Sequence, residues 1–330
     1  MIDTIYIEEN LLTHDRVRSI CDRFPAARAI TCDRYSEIFN PKAQNFRLQK
    51  IQPSLILAEK FKNFVLPAPS GYAIGGRCNY YFSHMLNCFY DCRYCFLQGM
   101  YQSAHYVVFV NFEDFQHEIR KIAAENPVPP VYFFSGYDCD SLAMDPVTGF
   151  ADSFLDFFKE LPQAFLELRT KSTQIRSLLA REALPNCIVA FSFTPAEISS
   201  ALEHKVPALE LRIEALSRLG RKGWRLGLRF DPMIYEQDYP SHYRKLFERI
   251  FNVLDESSLH SVSFGSFRLP NSFFSRMKRL YPDEKLFASP LERDGNMISY
   301  AAPLRQEMFA FCETALLDYV PAYKLFACSA

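Results

Sequence analysis

Three cysteines lie close together in one stretch of the chain, and their side chains have the clearest potential for chemistry. Cys88, Cys92 and Cys95 have C-x3-C-x2-C spacing, with aromatic and apolar residues between and after them. Thiolates are preferred ligands of zinc and of iron-sulfur clusters, and a loop with this spacing can wrap around either centre. The spacing therefore predicts a metal centre held by these three cysteines.

The number of thiols distinguishes the possible centres. A structural zinc ion takes four ligands, and the nearest other thiol, Cys78, lies ten residues before Cys88 in a predicted strand. Three thiolates on a cubic 4Fe-4S cluster would leave one iron without a protein ligand. Such an iron can chelate the amino and carboxylate groups of S-adenosylmethionine. We favour the cluster, while a structural zinc ion and three unrelated buried cysteines remain alternatives.

The residues around the cysteines resemble the cluster loop of one enzyme family. Tyr94 lies between the last two cysteines, and Phe96-Leu97-Gln98 follows them. This run resembles the C-x3-C-x-Y-C-aromatic-L-Q loop of the spore photoproduct lyase family, which belongs to the radical S-adenosylmethionine superfamily. The resemblance covers about residues 72–327. The chain is identified as a divergent member of that family.

The resemblance implies a carbon-carbon lyase that repairs DNA. In this family a 4Fe-4S cluster reductively cleaves S-adenosylmethionine to a 5'-deoxyadenosyl radical, which abstracts hydrogen from a thymine photodimer and leads to reversal of the lesion. The implied partners are damaged DNA and an electron donor such as flavodoxin or ferredoxin. One alternative is a radical enzyme of the same lineage with another substrate. A second is a zinc-stabilised nucleic-acid-binding module without catalysis.

Composition indicates a globular protein of a reducing compartment. The chain has 330 residues, 49% of them hydrophobic, and a formal net charge of −1, so no overall basic field favours nucleic acid. Ten cysteines show no regular pairing pattern of a secreted protein. The acidic N-terminal stretch does not resemble a signal peptide, and no apolar run is long enough for a membrane span. We therefore expect a cytoplasmic protein without a membrane partner.

Apolar runs alternate with amphipathic segments, a pattern that predicts a parallel sheet covered by helices. The predicted strands are 77–82, 131–134, 165–169, 187–193, 225–230 and 261–267. The predicted helices between them are 112–123, 151–160, 173–180, 207–219 and 241–254. Six strand-helix units are too few for a closed eight-stranded barrel. We therefore predict an α/β fold with a partial (β/α)6 radical S-adenosylmethionine barrel, whose site lies at the carboxyl ends of the strands.

Three segments follow from this pattern. Residues 1–70 form an N-terminal lead-in with a predicted strand and helix, residues 71–270 form the barrel, and residues 271–330 form a C-terminal helical and hairpin extension on the substrate side. The family has a basic and aromatic run near its C-terminus that wedges beside the lesion. The matching segment here, around Arg293-Asp294-Gly295, is less basic than that run. These three residues form either the turn of a hairpin or a plain surface turn.

Residues at the ends of the second, third and fourth strands are candidates for binding S-adenosylmethionine. Small and acidic residues after the second strand suit an ammonium group, although an ordinary Asx turn is the alternative. Lys171 ends the third strand, where it can pair with a carboxylate or with ribose oxygens. Ser192 matches the family's serine on the fourth strand. The sequence alone does not determine to which face of the strand its side chain points. The predicted cofactor-binding residues are Tyr94, Gly136, Asp138, Cys139, Asp140, Lys171 and Ser192.

The predicted catalytic residues depart from the family's hydrogen relay. Tyr137 matches the position of the family's hydrogen-donating cysteine, by the spacing of Asp140 and Asp145. Cys139 lies two residues further along and would face the same side of an extended chain. Phe96 replaces the second tyrosine of the relay, so only Tyr94 of that pair remains. The catalytic candidates are Tyr94, Tyr137 and Cys139.

Overall fold

A computed structural model of the chain describes residues 2–126, 128 and 130–328. Its strands are β1 (Thr4–Glu8), β2 (Arg28–Cys32), β3 (Leu55–Ala58), β4 (Val65–Pro67), β5 (Cys78–Phe82), β6 (Met85–Leu86), β7 (Asp91–Cys92), β8 (Tyr106–Phe109), β9 (Val131–Ser135), β10 (Ala164–Thr170), β11 (Cys187–Ser192), β12 (Glu203–His204), β13 (Arg225–Met233), β14 (Leu259–Ser266), β15 (Arg268–Pro270), β16 (Leu291–Asp294), β17 (Met297–Tyr300) and β18 (Leu325–Ala327). Its α-helices are α1 (Asp15–Cys21), α2 (Tyr35–Ile38), α3 (Phe46–Ile51), α4 (Leu97–Met100), α5 (Phe112–Glu125), α6 (Asp145–Thr148), α7 (Phe150–Lys159), α8 (Arg176–Leu179), α9 (Ala196–Leu202), α10 (Leu209–Arg221), α11 (Tyr239–Phe251), α12 (Asn271–Leu280) and α13 (Ala302–Leu317).

The main sheet has the strand order β18-β14-β13-β11-β10-β9-β5-β4. The six predicted strands are its central members, adjacent in chain order and parallel to one another. The sheet is curled and remains open, since β4 and β18 each pair with one neighbour. The prediction of a partial α/β barrel is confirmed.

Alternation along the strands separates a helix-covered face from the barrel lumen. Leu166 and Leu168 of β10 belong to the large apolar core under the helices, whereas Glu167 between them forms ion pairs with arginines in the lumen. Side chains of successive strand residues point to opposite faces. The lumen therefore carries buried polar groups.

The N-terminal segment forms a second sheet that includes strands from beyond residue 70. The order is β2-β1-β3-β8-β6, with β3 and β8 parallel. Both β6 and β8 flank the cysteine loop in sequence, so this sheet packs directly beside that loop. The sequence indicated a single strand here because the apolar run of β8 has no regular alternation.

The C-terminal extension combines a hairpin, two helices and an edge strand. Strands β16 and β17 pair antiparallel, with Gly295 at φ 57° in the turn between them, so the hairpin alternative is confirmed. After α13, strand β18 joins the open edge of the barrel beside β14. Within the described residues, no helix is both long and apolar enough to cross a membrane.

Candidate active site

The cysteine loop follows β5 and is anchored on two sides. Asn87 adopts φ 67°, and its Nδ2 donates to the carbonyl oxygens of Ser103 and His105, each at 2.8 Å. The backbone N–H of Cys95 donates to the carbonyl of Cys92 at 3.1 Å. Strand β7, inside the loop, pairs antiparallel with β12. These contacts hold the loop at the carboxyl end of the barrel strands.

The three thiols of the loop suit a metal centre by their chemistry. Burial, followed by the charges of Asp140 and Cys95, raises the pKa of Cys88 to about 12. Burial also raises the pKa of Cys92 and Cys95, and the charges of Cys95 and Cys88 add to the effect on Cys92. A bound cation favours the thiolate form and so offsets such shifts. Three sulfur donors on one loop, of which Cys92 is buried and Cys88 and Cys95 are half-buried, therefore fit an iron-sulfur cluster by their chemistry.

No three His, Cys, Asp or Glu side chains in residues 2–126, 128 and 130–328 are grouped closely enough to hold a metal ion, so the chemistry and spacing in sequence of the three thiols, and not their positions relative to one another, support the cluster.

Glu203 connects the cysteine loop to two barrel elements. Its carboxylate accepts hydrogen bonds from the Tyr94 hydroxyl and from Ser199 Oγ, the latter at 2.7 Å. It also pairs with Lys171 Nζ at 3.0 Å and with Arg212 at 2.7 Å. Burial alone would raise the pKa of Glu203, but Lys171 and Arg212 hold it well below its usual range. The hydroxyl of Tyr94 therefore points into an ionic network, and Lys171 points to the same carboxylate.

Asp140 joins the end of β9 to the end of β10. Its Oδ1 accepts hydrogen bonds from the backbone of Leu142 and Ala143, at 3.0 and 2.9 Å, and from Thr170 Oγ1 at 2.7 Å. Its Oδ2 accepts the backbone N–H of Lys171 at 2.6 Å. This geometry is an Asx turn with two additional bonds across the strands. Asp140 thus holds two predicted cofactor-binding segments in register.

Gly136 turns the chain so that Tyr137 and Cys139 enter different surroundings. The residue has φ 81°, and a Cβ there would lie 2.5 Å from Ser141 Oγ, so only glycine fits. The Tyr137 ring lies 4.3 Å from the ring of Tyr81 and 5.4 Å from that of Phe96. Cys139 instead packs in the apolar cluster of the N-terminal sheet. Side chains after this turn do not follow the alternation of an extended chain. The expectation that Tyr137 and Cys139 face the same side is therefore wrong.

The other two predicted residues, Asp138 and Ser192, are both buried. Asp138 is buried, and its Oδ1 has no hydrogen-bond partner in the described part of the chain. Burial raises the pKa of Asp138, and the charge of Lys60 opposes this shift. Ser192 shares its strand face with Ile188, which packs against lumen aromatics. The side chain of Ser192 therefore lies on the lumen side.

A buried ionic network occupies the lumen behind the strand ends. Glu167 pairs with Arg229 at 2.7 Å and with Arg169 at 2.9 Å, and Arg229 also donates to Ser261 Oγ at 3.0 Å. Burial alone would raise the pKa of Glu167, but Arg229 and Arg169 lower it to about 2. Arg169 also lines a pocket at the barrel mouth with Tyr137. Arg169 therefore connects the network to this pocket.

The sequence model of the family described as spore photoproduct lyase matches residues 76–301, more than half of the chain. The chain belongs to the spore photoproduct lyase family. The resemblance predicted from the cysteine loop is confirmed.

Two curated spore photoproduct lyases are similar in sequence. That of Bacillus subtilis (strain 168) is 24% identical over 204 residues, 60% of this chain and 59% of that protein. That of Clostridium acetobutylicum is 22% identical over 210 residues, 63% of this chain and 62% of that protein. The chain thus matches about three fifths of the length of these relatives.

Solved structures of spore photoproduct lyase share the fold of the whole chain. A double mutant with bound AdoMet and dinucleoside spore photoproduct has a TM-score of 0.85 and 15% identity, over 100% of this chain and 98% of that chain. A complex with dinucleoside spore photoproduct has a TM-score of 0.84, 16% identity and the same coverage. The N-terminal sheet and the C-terminal extension are therefore part of a fold shared with these structures.

Sequence reasoning missed three residues at this spore photoproduct lyase-type site. Glu203 and Arg212 had no local signal, since Glu203 lies 109 residues from Tyr94 in the chain. The position of Tyr81 could have been predicted in part, because side chains alternate along β5 and Tyr81 therefore shares one face of the strand with Asn79. Its contact with Tyr137 still depended on the turn at Gly136.

Proposed function

We propose that this member of the spore photoproduct lyase family is a radical S-adenosylmethionine lyase that reverses a thymine photodimer in DNA. The observation that carries the proposal is the loop of Cys88, Cys92 and Cys95 at the carboxyl ends of parallel strands, where such sheets bind their ligands. Family membership supports the lyase activity. A relative of the same fold with bound AdoMet and dinucleoside spore photoproduct supports the substrate.

The strand ends beside the loop would bind the cofactor. The 4Fe-4S cluster, held by the three loop cysteines, and S-adenosylmethionine supply one-electron cleavage and hydrogen-atom abstraction when bound. Asp138 has a buried carboxylate oxygen without a partner, which suits an ammonium group. Gly136 permits the turn that brings the chain to this strand end, and Ser192 presents a hydroxyl to the lumen. Asp140 and Lys171 position these strand ends through their contacts with each other and with Glu203.

Tyr137 is the residue that we assign to hydrogen donation. Its phenol can transfer a hydrogen atom to the substrate, after which a one-electron reductant and a solvent proton restore the tyrosine. The ring of Tyr81, whose centre lies 4.3 Å from that of Tyr137, extends this path toward the pocket. Cys139, which packs among apolar residues of the N-terminal sheet, is the second candidate donor because its thiol also carries a transferable hydrogen. Tyr94 acts by positioning the loop, because its hydroxyl is bound to Glu203.

The proposed partners are damaged DNA and a one-electron donor protein such as flavodoxin or ferredoxin. A stacked photodimer must leave the helix to reach a pocket at the barrel mouth, which is easier for a damaged pair. All ten cysteines are free thiols in the structure. Free thiols and an oxygen-sensitive cluster support a cytoplasmic location.

Two observations favour a second candidate, the same radical chemistry on another substrate. The hairpin of β16 and β17 carries Glu292 and Asp294 against the single cation Arg293, so it is poorly suited to phosphates. Phe96 beside Tyr137 lacks a transferable hydrogen. Both features concern the substrate side, while the three loop cysteines keep the spacing of the family's loop.

Anaerobic reconstitution tests the proposal. We expect about four irons and four sulfides per chain, and recovery of thymine from ultraviolet-irradiated DNA when dithionite and S-adenosylmethionine are added. Cys88→Ala should abolish iron binding and formation of 5'-deoxyadenosine. Cys312→Ala, which alters a buried thiol of α13, should retain both.

The possible failures have distinct meanings. One zinc and no iron per chain would contradict the enzyme and favour a zinc-stabilised nucleic-acid-binding module. Formation of 5'-deoxyadenosine with an intact lesion would favour the other substrate. Full turnover by Cys88→Ala would contradict the ligand assignment.

A further inference from the structure

Four cationic side chains lie on or beside the cysteine loop, and we call them the basic patch: Arg47, Lys50, Arg93 and Lys205. Lys50 Nζ lies 3.6 Å from Asp91 Oδ1, and Arg93 lies 3.3 Å from Asp91 Oδ2. Lys205 Nζ donates to the carbonyl oxygen of Lys50 at 3.2 Å. Two of the four cations share one carboxylate, so the patch is basic on a chain whose formal net charge is −1.

Helix α3 gives the position of the fourth cation. Arg47 lies three residues before Lys50 on this helix, so the two side chains lie on the same side of it. Arg93 also contacts Tyr281, with its guanidinium 3.8 Å from the centre of the ring.

The basic patch lies against the predicted cluster ligands. Asp91, which pairs with Lys50 and Arg93, directly precedes Cys92 in the chain, and Arg93 directly follows Cys92. Arg93 belongs to the loop itself, and Lys205 directly follows β12, which pairs with the loop strand β7. The basic patch therefore lies on the outer face of the cysteine loop.

Exposed apolar side chains adjoin the cations. Leu48 and Ile51 of α3 are 62% and 79% exposed, and Phe89 of the loop is 41% exposed. They are sequence neighbours of Arg47, Lys50 and Cys88 respectively. Apolar side chains with a charged surround are typical of protein docking surfaces, and the charges mainly increase the rate of encounter.

We infer that the basic patch is the docking surface for an acidic one-electron donor, a small flavin or iron-sulfur protein. The inference rests on the proposed function, because only that function requires electrons at the cysteine loop. With the proposed cluster bound, the donor would lose one electron and the cluster would gain it, with no transfer of a proton or a covalent bond. Electron transfer slows steeply with distance, so the donor must approach the loop closely, and Arg93 of the patch is the chain neighbour of Cys92.

The location of the patch favours a donor over DNA. Loop residue Phe96 faces Tyr137 and the pocket at the barrel mouth, where a lesion would enter. The patch is instead built on Asp91, Arg93 and the neighbouring β12. A substrate in the pocket and a protein on the patch can therefore bind together.

Charge reversal of the two exposed cations tests the inference. Arg47 and Lys205 form no salt bridge with any residue that the structure describes, so Arg47→Glu with Lys205→Glu changes charge without breaking an ion pair. The control is Arg221→Glu with Lys222→Glu, an equal charge change at the exposed C-terminal end of α10. Binding of oxidised flavodoxin to the reconstituted protein is measured by titration at low and high salt.

We expect the patch variant to bind flavodoxin about 10-fold more weakly than the control at low salt, and the difference to shrink at high salt. Formation of 5'-deoxyadenosine should fall with reduced flavodoxin as donor but stay unchanged with dithionite. A thermal unfolding midpoint like that of the control shows that the variant is folded.

Other outcomes overturn the inference. Equal flavodoxin binding by the two variants would exclude the patch as the docking surface. Loss of binding to irradiated DNA without loss of flavodoxin binding would assign the patch to nucleic acid instead. If dithionite yields no 5'-deoxyadenosine in any variant, the proposed function fails, while the flavodoxin titration still tests the surface.

Discussion

Glu203→Gln is the substitution that most directly tests how the cysteine loop is held. The change keeps the size of the side chain and removes its charge. It leaves Arg212 and Lys171, at 2.7 and 3.0 Å from the carboxylate, facing a neutral amide. The amide also has one oxygen where the carboxylate has two, so Tyr94 and Ser199 lose part of their acceptor.

The expected loss of stability follows from the burial of this network. Glu203 and Arg212 are both fully buried in their side chains, and removing one partner of a buried ion pair costs about 3–5 kcal/mol. Native domains are stable by only about 5–15 kcal/mol. The variant should therefore unfold at much lower urea concentration. It should also release iron faster, because β12 and Tyr94 no longer hold the loop rigidly.

Glu167→Gln is the matched control. Its carboxylate is equally buried and pairs with Arg229 at 2.7 Å and Arg169 at 2.9 Å, but it lies in the lumen and contacts no loop residue. The loss of unfolding free energy should be similar in the two variants. Only Glu203→Gln should lose iron in excess of that effect.

The assays are urea unfolding followed by circular dichroism and the rate of iron release to a chelator under native conditions. Tyr94→Phe should give an intermediate result, since it removes one hydrogen bond to a charged group, worth about 1.5–3 kcal/mol. The reasoning is refuted if Glu203→Gln changes the unfolding free energy by less than about 1 kcal/mol. It is equally refuted if Glu167→Gln releases iron as fast as Glu203→Gln.

Three further predictions address the donor, the lumen and a helix contact. In deuterated water, Tyr137→Phe should lower deuterium incorporation into thymine several-fold by mass spectrometry, whereas Tyr80→Phe, whose ring stacks on the helix-side core, should not. The pKa of Glu167, lowered from 4.5 to about 2, contributes stability above about pH 4.5 that is lost as the pH falls toward 2. The difference in urea unfolding free energy between the native protein and Glu167→Gln should therefore be roughly 3 kcal/mol at pH 6 and shrink through that window. Gly99→Ala should lower the free energy of unfolding by about 1–3 kcal/mol in urea, since a Cβ there lies 2.5 Å from the Phe273 carbonyl oxygen.

The barrel and the cysteine loop could be predicted because their signals are local. Each central strand is a short apolar run between amphipathic segments, and parallel strands with helical crossovers pair in chain order. Cys88, Cys92 and Cys95 lie within one loop, so their spacing alone indicates their chemistry. The N-terminal sheet could not be predicted in this way, since β8 pairs with β3 across the cysteine loop.

The strand-end turn and the ionic network depended on tertiary structure. The period of two predicted a common side for Tyr137 and Cys139, but Gly136 at φ 81° ends the extended chain before them. Glu203 follows a short helix and resembles any surface glutamate in sequence. Only the pairing of β12 with β7 buries it against the loop.

The candidate site therefore separates into proposed ligands that are local in sequence and a supporting network that is distributed along the chain. The proposed ligands come from one loop, whereas Glu203, Lys171 and Arg212 come from three separate elements that meet behind it. A change at Phe96, beside Tyr137, would alter the proposed hydrogen path without breaking the contacts of this network. Repair activity and iron retention should therefore respond independently to mutation.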